Sequence, residues 1–150
     1  MLSIRRLELK EARVLIAAAR AKAKELGVPV CIAIVDESGH LIAFERMDGS
    51  KITSVNLAID KGFTATGIKK GTHELGLANQ PGSPVHGIAS ALGGRMVVLG
   101  GGLPIFSDQD VVGGIGVSSG TPEQDLAIAE AAAAAFEPLA NEDIKDGTSR

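Results

Sequence analysis

Aromatic side chains are scarce in this chain: it has no Trp, no Tyr and only four Phe. Sheets that bind RNA or single-stranded DNA stack bases on aromatic rings, so that class is disfavoured from the start. An excess of one charge is also missing. The net charge is −3 and no long run of Lys and Arg occurs, which argues against nucleic acid or an anionic membrane as the main partner. Cys31 is the single cysteine, so no internal disulfide can form. Its place in the apolar run "VPVCIAIVD" reads as a buried structural thiol. No apolar run reaches spanning length. Arg5, Arg6, Glu8, Lys10 and Glu11 interrupt the opening stretch, which does not read as a signal peptide. A cytoplasmic protein without a membrane partner is the resulting expectation. Metal-ligand spacing is lacking too: His40, His73 and His86 lie far apart, with no H-x-x-x-H and no C-x-x-C, so no metal site is expected.

What is present suffices for one globular domain: 150 residues, 45% hydrophobic and 22% charged. Leu7 to Leu26 repeats apolar residues at helical spacing, and Gly27 and Pro29 end it. "VCIAIVD" and "HLIAFER" read as strands joined by "ESG", where Gly39 supplies the freedom of a tight hairpin. Ile52 to Ile68 reads as a second helix and "GTHELGLAN" as a short third. "QPGSPVHG" is a loop by its Pro and Gly content. "RMVVLGGGLPIF" and "QDVVGGIGV" read as further strand regions, the first interrupted by a glycine turn or bulge. A last helix spans about Pro122 to Leu139. Short turns between strands, rather than helical crossovers, predict an α+β domain with an antiparallel sheet packed by helices.

"GVSSG", Gly116 to Gly120, fits the G-x-S-x-G pattern of a serine nucleophile. The chemistry does not follow. All three histidines precede Ser118, whereas the hydrolase order places the histidine after the serine in a parallel sheet. "TPEQ" reads instead as a helix start: Thr121 as N-cap, Pro122 at the first position and Gln124 closing a capping box. Amides near Thr121 offer a place for an anion. "GGIGVSSG" misses the dinucleotide pattern G-x-G-x-x-G, and its glycines read as sites of close backbone approach.

Three side chains stand out as ligand groups. His86 sits in a loop, where functional groups concentrate. Arg46, in "FERMDGS", reads either as half of an ion pair with Asp48 or as a bidentate anchor for a carboxylate. Lys61 interrupts an apolar helix and either snorkels to solvent or points into a pocket to hold an acid group.

Taken in order, "IAIVDESGHLIAFERMDGS", "AIDKGFTA", "GGGLPI" and "DVVGGIGVSSGTPEQD" resemble the GlcG/HbpS-like family, which includes the C-terminal domain of PduO proteins. The likeness runs from about Leu7 to Phe136. It divides the chain into a domain at 7–138 and a polar C-terminal tail at 139–150. Family members close on G-V-S-G-G-T-x-x-Q-D, so Gln124 and Asp125 match and Ser119 replaces a glycine. "THELGLANQPGSPVHGIAS", which contains His86, departs from the commoner family pattern. The resemblance implies a profilin-like α+β fold, a homo-oligomer of two or more copies, and haem or corrinoid binding in some members. It leaves two readings of function. One is a small-molecule-binding protein, with haem or another tetrapyrrole held near His86, Lys61 and Arg46. The other is a metal-independent lyase, isomerase or hydrolase acting on a carboxylated metabolite, with His86 and Lys61 as its catalytic candidates.

Overall fold

The computed structural model describes the backbone of residues 1–146 and the side chains of residues 1–136. Strands β1 (Cys31–Asp36), β2 (Leu41–Arg46), β3 (Gly102–Ser107) and β4 (Asp110–Ser118) form one sheet in the order β2-β1-β4-β3, antiparallel throughout. Helices α1 (Leu9–Leu26) and α4 (Pro122–Asp146) cover one face, and α2 (Ser54–Ile68) covers the other. A short α3 (Thr72–Ala78) and a 3₁₀ segment (Ile88–Gly94) follow α2. This is the α+β fold expected from the hairpin connections.

Both faces of β1 are covered, which explains its unbroken apolar sequence: all six of its residues are buried. Ile32 and Ile34 join Leu15, Ala19, Ile115, Val117 and Ile128 in the main core. Cys31 and Ala33 point the other way, toward Ala58 of α2. Cys31 is fully buried, its thiol 3.4 Å from Ser50 Oγ, in keeping with a structural role.

The glycines of β4 set how closely α2 approaches. A Cβ at Gly116 would collide with the Ala58 carbonyl oxygen, and one at Gly114 with the Thr66 hydroxyl. The hairpin at "ESG" forms as expected. Gly39 has φ +84° and lies against the Phe63 ring. Asp36 Oδ1 accepts bonds from Ser38 N, Ser38 Oγ and His40 N, which fixes the turn.

Two expectations change. "RMVVL" is not a strand, because its backbone bonds to a side chain of α2: Thr64 Oγ1 donates to Arg95 O and accepts from Val97 N, each at 3.0 Å. Pairing begins only at Gly102. The last helix does not stop near Leu139 but continues to Asp146. The rest of the segment 139–150, and all its side chains, lie outside the described residues.

Candidate functional site

The joint between β4 and α4 is built as the sequence suggests. Thr121 Oγ1 accepts from Gln124 N at 3.2 Å, and Gln124 Oε1 accepts from Thr121 N at 3.0 Å. Gly120 N donates to Asp125 Oδ1 at 2.9 Å. The Gly120, Thr121 and Gln124 amides, which would attract an anion at a bare helix start, are therefore already bonded to side chains. Ser118 is buried and donates to Ser54 Oγ at 3.3 Å, not to a histidine. Ser119 carries φ +109°, in the region that favours glycine, and its hydroxyl accepts from Lys51 N at 2.9 Å.

Beside this joint lies a cleft of about 250 Å³ between the starts of α2 and α4. Its lining includes Lys51, Ser54, Lys61, Ser118 and Asp125. Lys61, only 2% exposed, donates to Asp125 Oδ2 at 3.0 Å and to Val117 O at 2.9 Å. It thus neither snorkels to solvent nor stands free; it forms a buried ion pair. Burial pushes Lys61 below the usual lysine range and Asp125 above the usual carboxyl range, and each partner's charge pulls the other back. The run Gly100 to Gly102 lies over this pair. A Cβ at Gly101 would collide with the Val117 oxygen and fall 2.8 Å from Asp125 Cβ and 3.0 Å from Lys61 Nζ.

Arg46 and His86 lie elsewhere. Arg46 pairs with Cys31 at the end of edge strand β2 and is exposed. Among the described residues it makes no ion pair; the neighbouring Glu45 binds Arg20 instead. His86 is exposed on the loop after α3. Its Nδ1 lies 2.9 Å from Asn79 O, and Gly87 N donates to Asn79 Oδ1 at 3.0 Å. A carbonyl oxygen only accepts, so in the neutral ring Nδ1 holds the proton and Nε2 keeps a free lone pair. Neither Arg46 nor His86 lines the Lys61 cleft. Nor does any hydrogen bond or ion pair among the described residues join two of the three side chains.

Sequence reasoning missed Asp125 as the partner of Lys61 and Asn79 as the anchor of His86. The first had a signal: one lysine inside an apolar helix requires a buried acid. The second had none, since Asn79 is seven residues from His86 and meets it only through loop geometry. The remaining histidines differ. His40 Nδ1 lies 3.0 Å from Ser38 Oγ, beside Asp36 and Glu37. His73 has a buried Nδ1 without a hydrogen-bond partner. No group of three His, Cys, Asp or Glu among the described residues is placed to hold a metal ion. No described helix is long and apolar enough to cross a membrane.

Residues 7–134 match the family model described as "Haem degrading protein HbpS-like". The chain is 42% identical over 130 residues to the corrinoid adenosyltransferase PduO of Citrobacter freundii, covering 87% of this chain but only 39% of that protein. It therefore spans well under half of that relative. The crystal structure of Klebsiella pneumoniae protein ORFY superposes with a TM-score of 0.89 at 34% identity, over 91% of this chain and 94% of the other. The crystal structure of a PduOC:heme complex superposes with a TM-score of 0.83 at 39% identity, over 87% and 94%.

Proposed function

Because the chain belongs to the HbpS-like family, we propose that it binds haem and that His86 supplies the imidazole to the iron. The observation that carries this reading is the His86–Asn79 bond. A metal-binding histidine usually donates its other ring N–H to a carbonyl or carboxylate, which fixes the tautomer and turns the free nitrogen outward. His86 already has that arrangement. His40 differs: its Nδ1 meets the Ser38 hydroxyl rather than a carbonyl, and it stands beside Asp36 and Glu37, two carboxylates that share the single Arg6 guanidinium and so leave net negative charge against the haem propionates. The solved heme complex of a relative with the same fold adds support. A corrinoid would use the same imidazole nitrogen.

The fit is partial within one chain. Clefts of about 260, 350 and 250 Å³ open on the described surface, and His86 lines none of them. Pockets that enclose drug-sized ligands are usually about 300–1,000 Å³. Leu77 is 72% exposed, Leu92 63% and Val85 37%, all on the same stretch as His86. A haem on His86 would need a second copy of the chain to complete its enclosure. Haem would bring its own iron redox chemistry; the protein's part is to ligate, orient and shield it. Lys61 is held by Asp125, and Arg46, on the edge strand β2 at the other side of the sheet from β3, would meet a propionate only of a haem held by another copy.

Haem titration of the purified protein should give a saturable Soret shift that His86→Ala abolishes and His40→Ala leaves. Light scattering of the same samples should show a dimer or larger assembly. Equal binding without His86, or a monomer at saturating haem, overturns the reading. Parallel titration with a cobalamin separates a corrinoid from haem.

A further inference from the structure

We infer that the cleft at the β4–α4 joint is a second ligand site, and that it takes a short-chain monocarboxylate. The inference stands apart from the haem reading, since His86 is not part of this cleft.

Donors and acceptors in the cleft do not balance. Lysine has three N–H donors and no acceptor. Lys61 uses two of them, on Val117 O and Asp125 Oδ2; the third has no acceptor among the described residues. Ser118 and Ser54 share one hydrogen bond. Whichever hydroxyl donates, one O–H proton of the pair is left over. Both serines are at least 96% buried, so bulk water does not readily make up the deficit. The Thr53 side chain does not cap α2. The Lys51 ammonium makes no ion pair among the described residues, although its charge is felt by Asp125.

The oxygens of Asp125 and Ser119, by contrast, are each already engaged by one donor. Asp125 Oδ1 takes Gly120 N and Oδ2 takes Lys61, while Ser119 Oγ takes Lys51 N. A ligand that completes this set brings acceptor oxygens and little else. Lys51 and Lys61 against Asp125 leave one net positive charge on the lining, which matches one negative charge on the ligand. A carboxylate supplies one charge and two acceptor oxygens; a phosphate dianion brings one charge too many. Leu57, Leu99 and Pro122 also line the cleft and suit a short alkyl chain. A volume of about 250 Å³ keeps that chain short.

Sodium propionate titrated into the isotope-labelled protein tests this by amide NMR shifts. Saturable shifts are expected, confined to residues 50–61 and 117–125. Propionamide, with the same shape and no charge, should not reproduce them, and inorganic phosphate should bind more weakly. Lys51 is exposed, so Lys51→Met should keep a native spectrum and weaken propionate about tenfold or more, as for one lost charged contact. Ser54→Ala should weaken it as well. The inference fails if propionate does not saturate, if the shifts fall elsewhere, or if propionamide or phosphate binds as well. It also fails if a natively folded Lys51→Met variant binds with unchanged affinity.

Discussion

Replacing Lys61 with Met keeps most of the side-chain volume and removes the charge. The consequence follows from what is left behind. Asp125 is 2% exposed, and in the variant its carboxylate would keep only the Gly120 amide at 2.9 Å. Breaking a buried pair by removing one partner costs about 3–5 kcal/mol, because an uncompensated charge stays inside. Replacing both, as Lys61→Met with Asp125→Leu, removes that charge. It should recover most of the loss, short of about 1 kcal/mol for the Gly120 bond. Urea unfolding of wild type, both single variants and the double variant would give the coupling directly. The pH dependence supplies a second check. Burial already raises the Asp125 pKa above its ordinary 3.8, and Lys61 is the main influence pulling it down. Without Lys61 it rises further. A carboxyl with a raised folded pKa loses stability as pH rises through that value. The deficit of Lys61→Met relative to wild type should therefore shrink on going from about pH 7 to about pH 5, by up to about 1.4 kcal/mol per pH unit. A deficit under about 1 kcal/mol at neutral pH, or one that does not change with pH, would refute the claim that this pair is buried and charged.

Asp36 should act in the opposite direction. Burial opposes its charged form, but bonds from Ser38 and His40 and the nearby Arg6 outweigh it and lower the pKa below 3.8. The stability it contributes is present above that value and is lost as pH falls through the lowered one. Asp36→Asn should accordingly flatten the acid limb of an unfolding-midpoint profile below about pH 4; an unchanged limb would remove Asp36 from the account. At the β4–α4 joint, Thr121→Ala should cost about 1 kcal/mol through loss of the cap. Ser118→Ala should leave haem binding intact, and abolished binding in a folded Ser118→Ala protein would reopen the role of "GVSSG".

The architecture was legible wherever one physical rule dominated. The unbroken run "VCIAIVD" marked a strand covered on both faces, and "ESG" marked its hairpin. The capping box at Thr121 and Gln124 could be read directly, because its bonds span three residues. Long-range bonds were not legible. "RMVVL" has strand composition, but Thr64, about thirty residues earlier in the chain, claims its backbone groups. The site was read in fragments. Arg46, Lys61 and His86 were picked by chemical type, and the structure puts them in separate settings. Only the sheet register and the packing of α2 on β4 reveal that Lys61 faces Asp125.

The glycine-rich stretches follow from that pairing. An ion pair inside a small domain needs oxygen acceptors close to the lysine and little room for water. The Val117 carbonyl and the Gly101 backbone provide this only because Gly101 has no side chain, and Gly114 and Gly116 let α2 settle onto β4. "GGGLPI" and "GGIGVSSG" are thus two walls of one enclosure, and Ser119, in a glycine conformation, is the half-buried lip of the cleft above it. Holding a non-glycine residue there costs on the order of 1–3 kcal/mol, offset in part by the hydroxyl's bond to Lys51 N. The loop with His86 has no such coupling. It reaches its neighbours through Asn79 and through α3, which packs on α2 and β3. Its sequence can depart from the family pattern without disturbing the enclosure. A cleft walled by glycines and a loop carrying a histidine are therefore physically separable, and each can be altered while the other is measured.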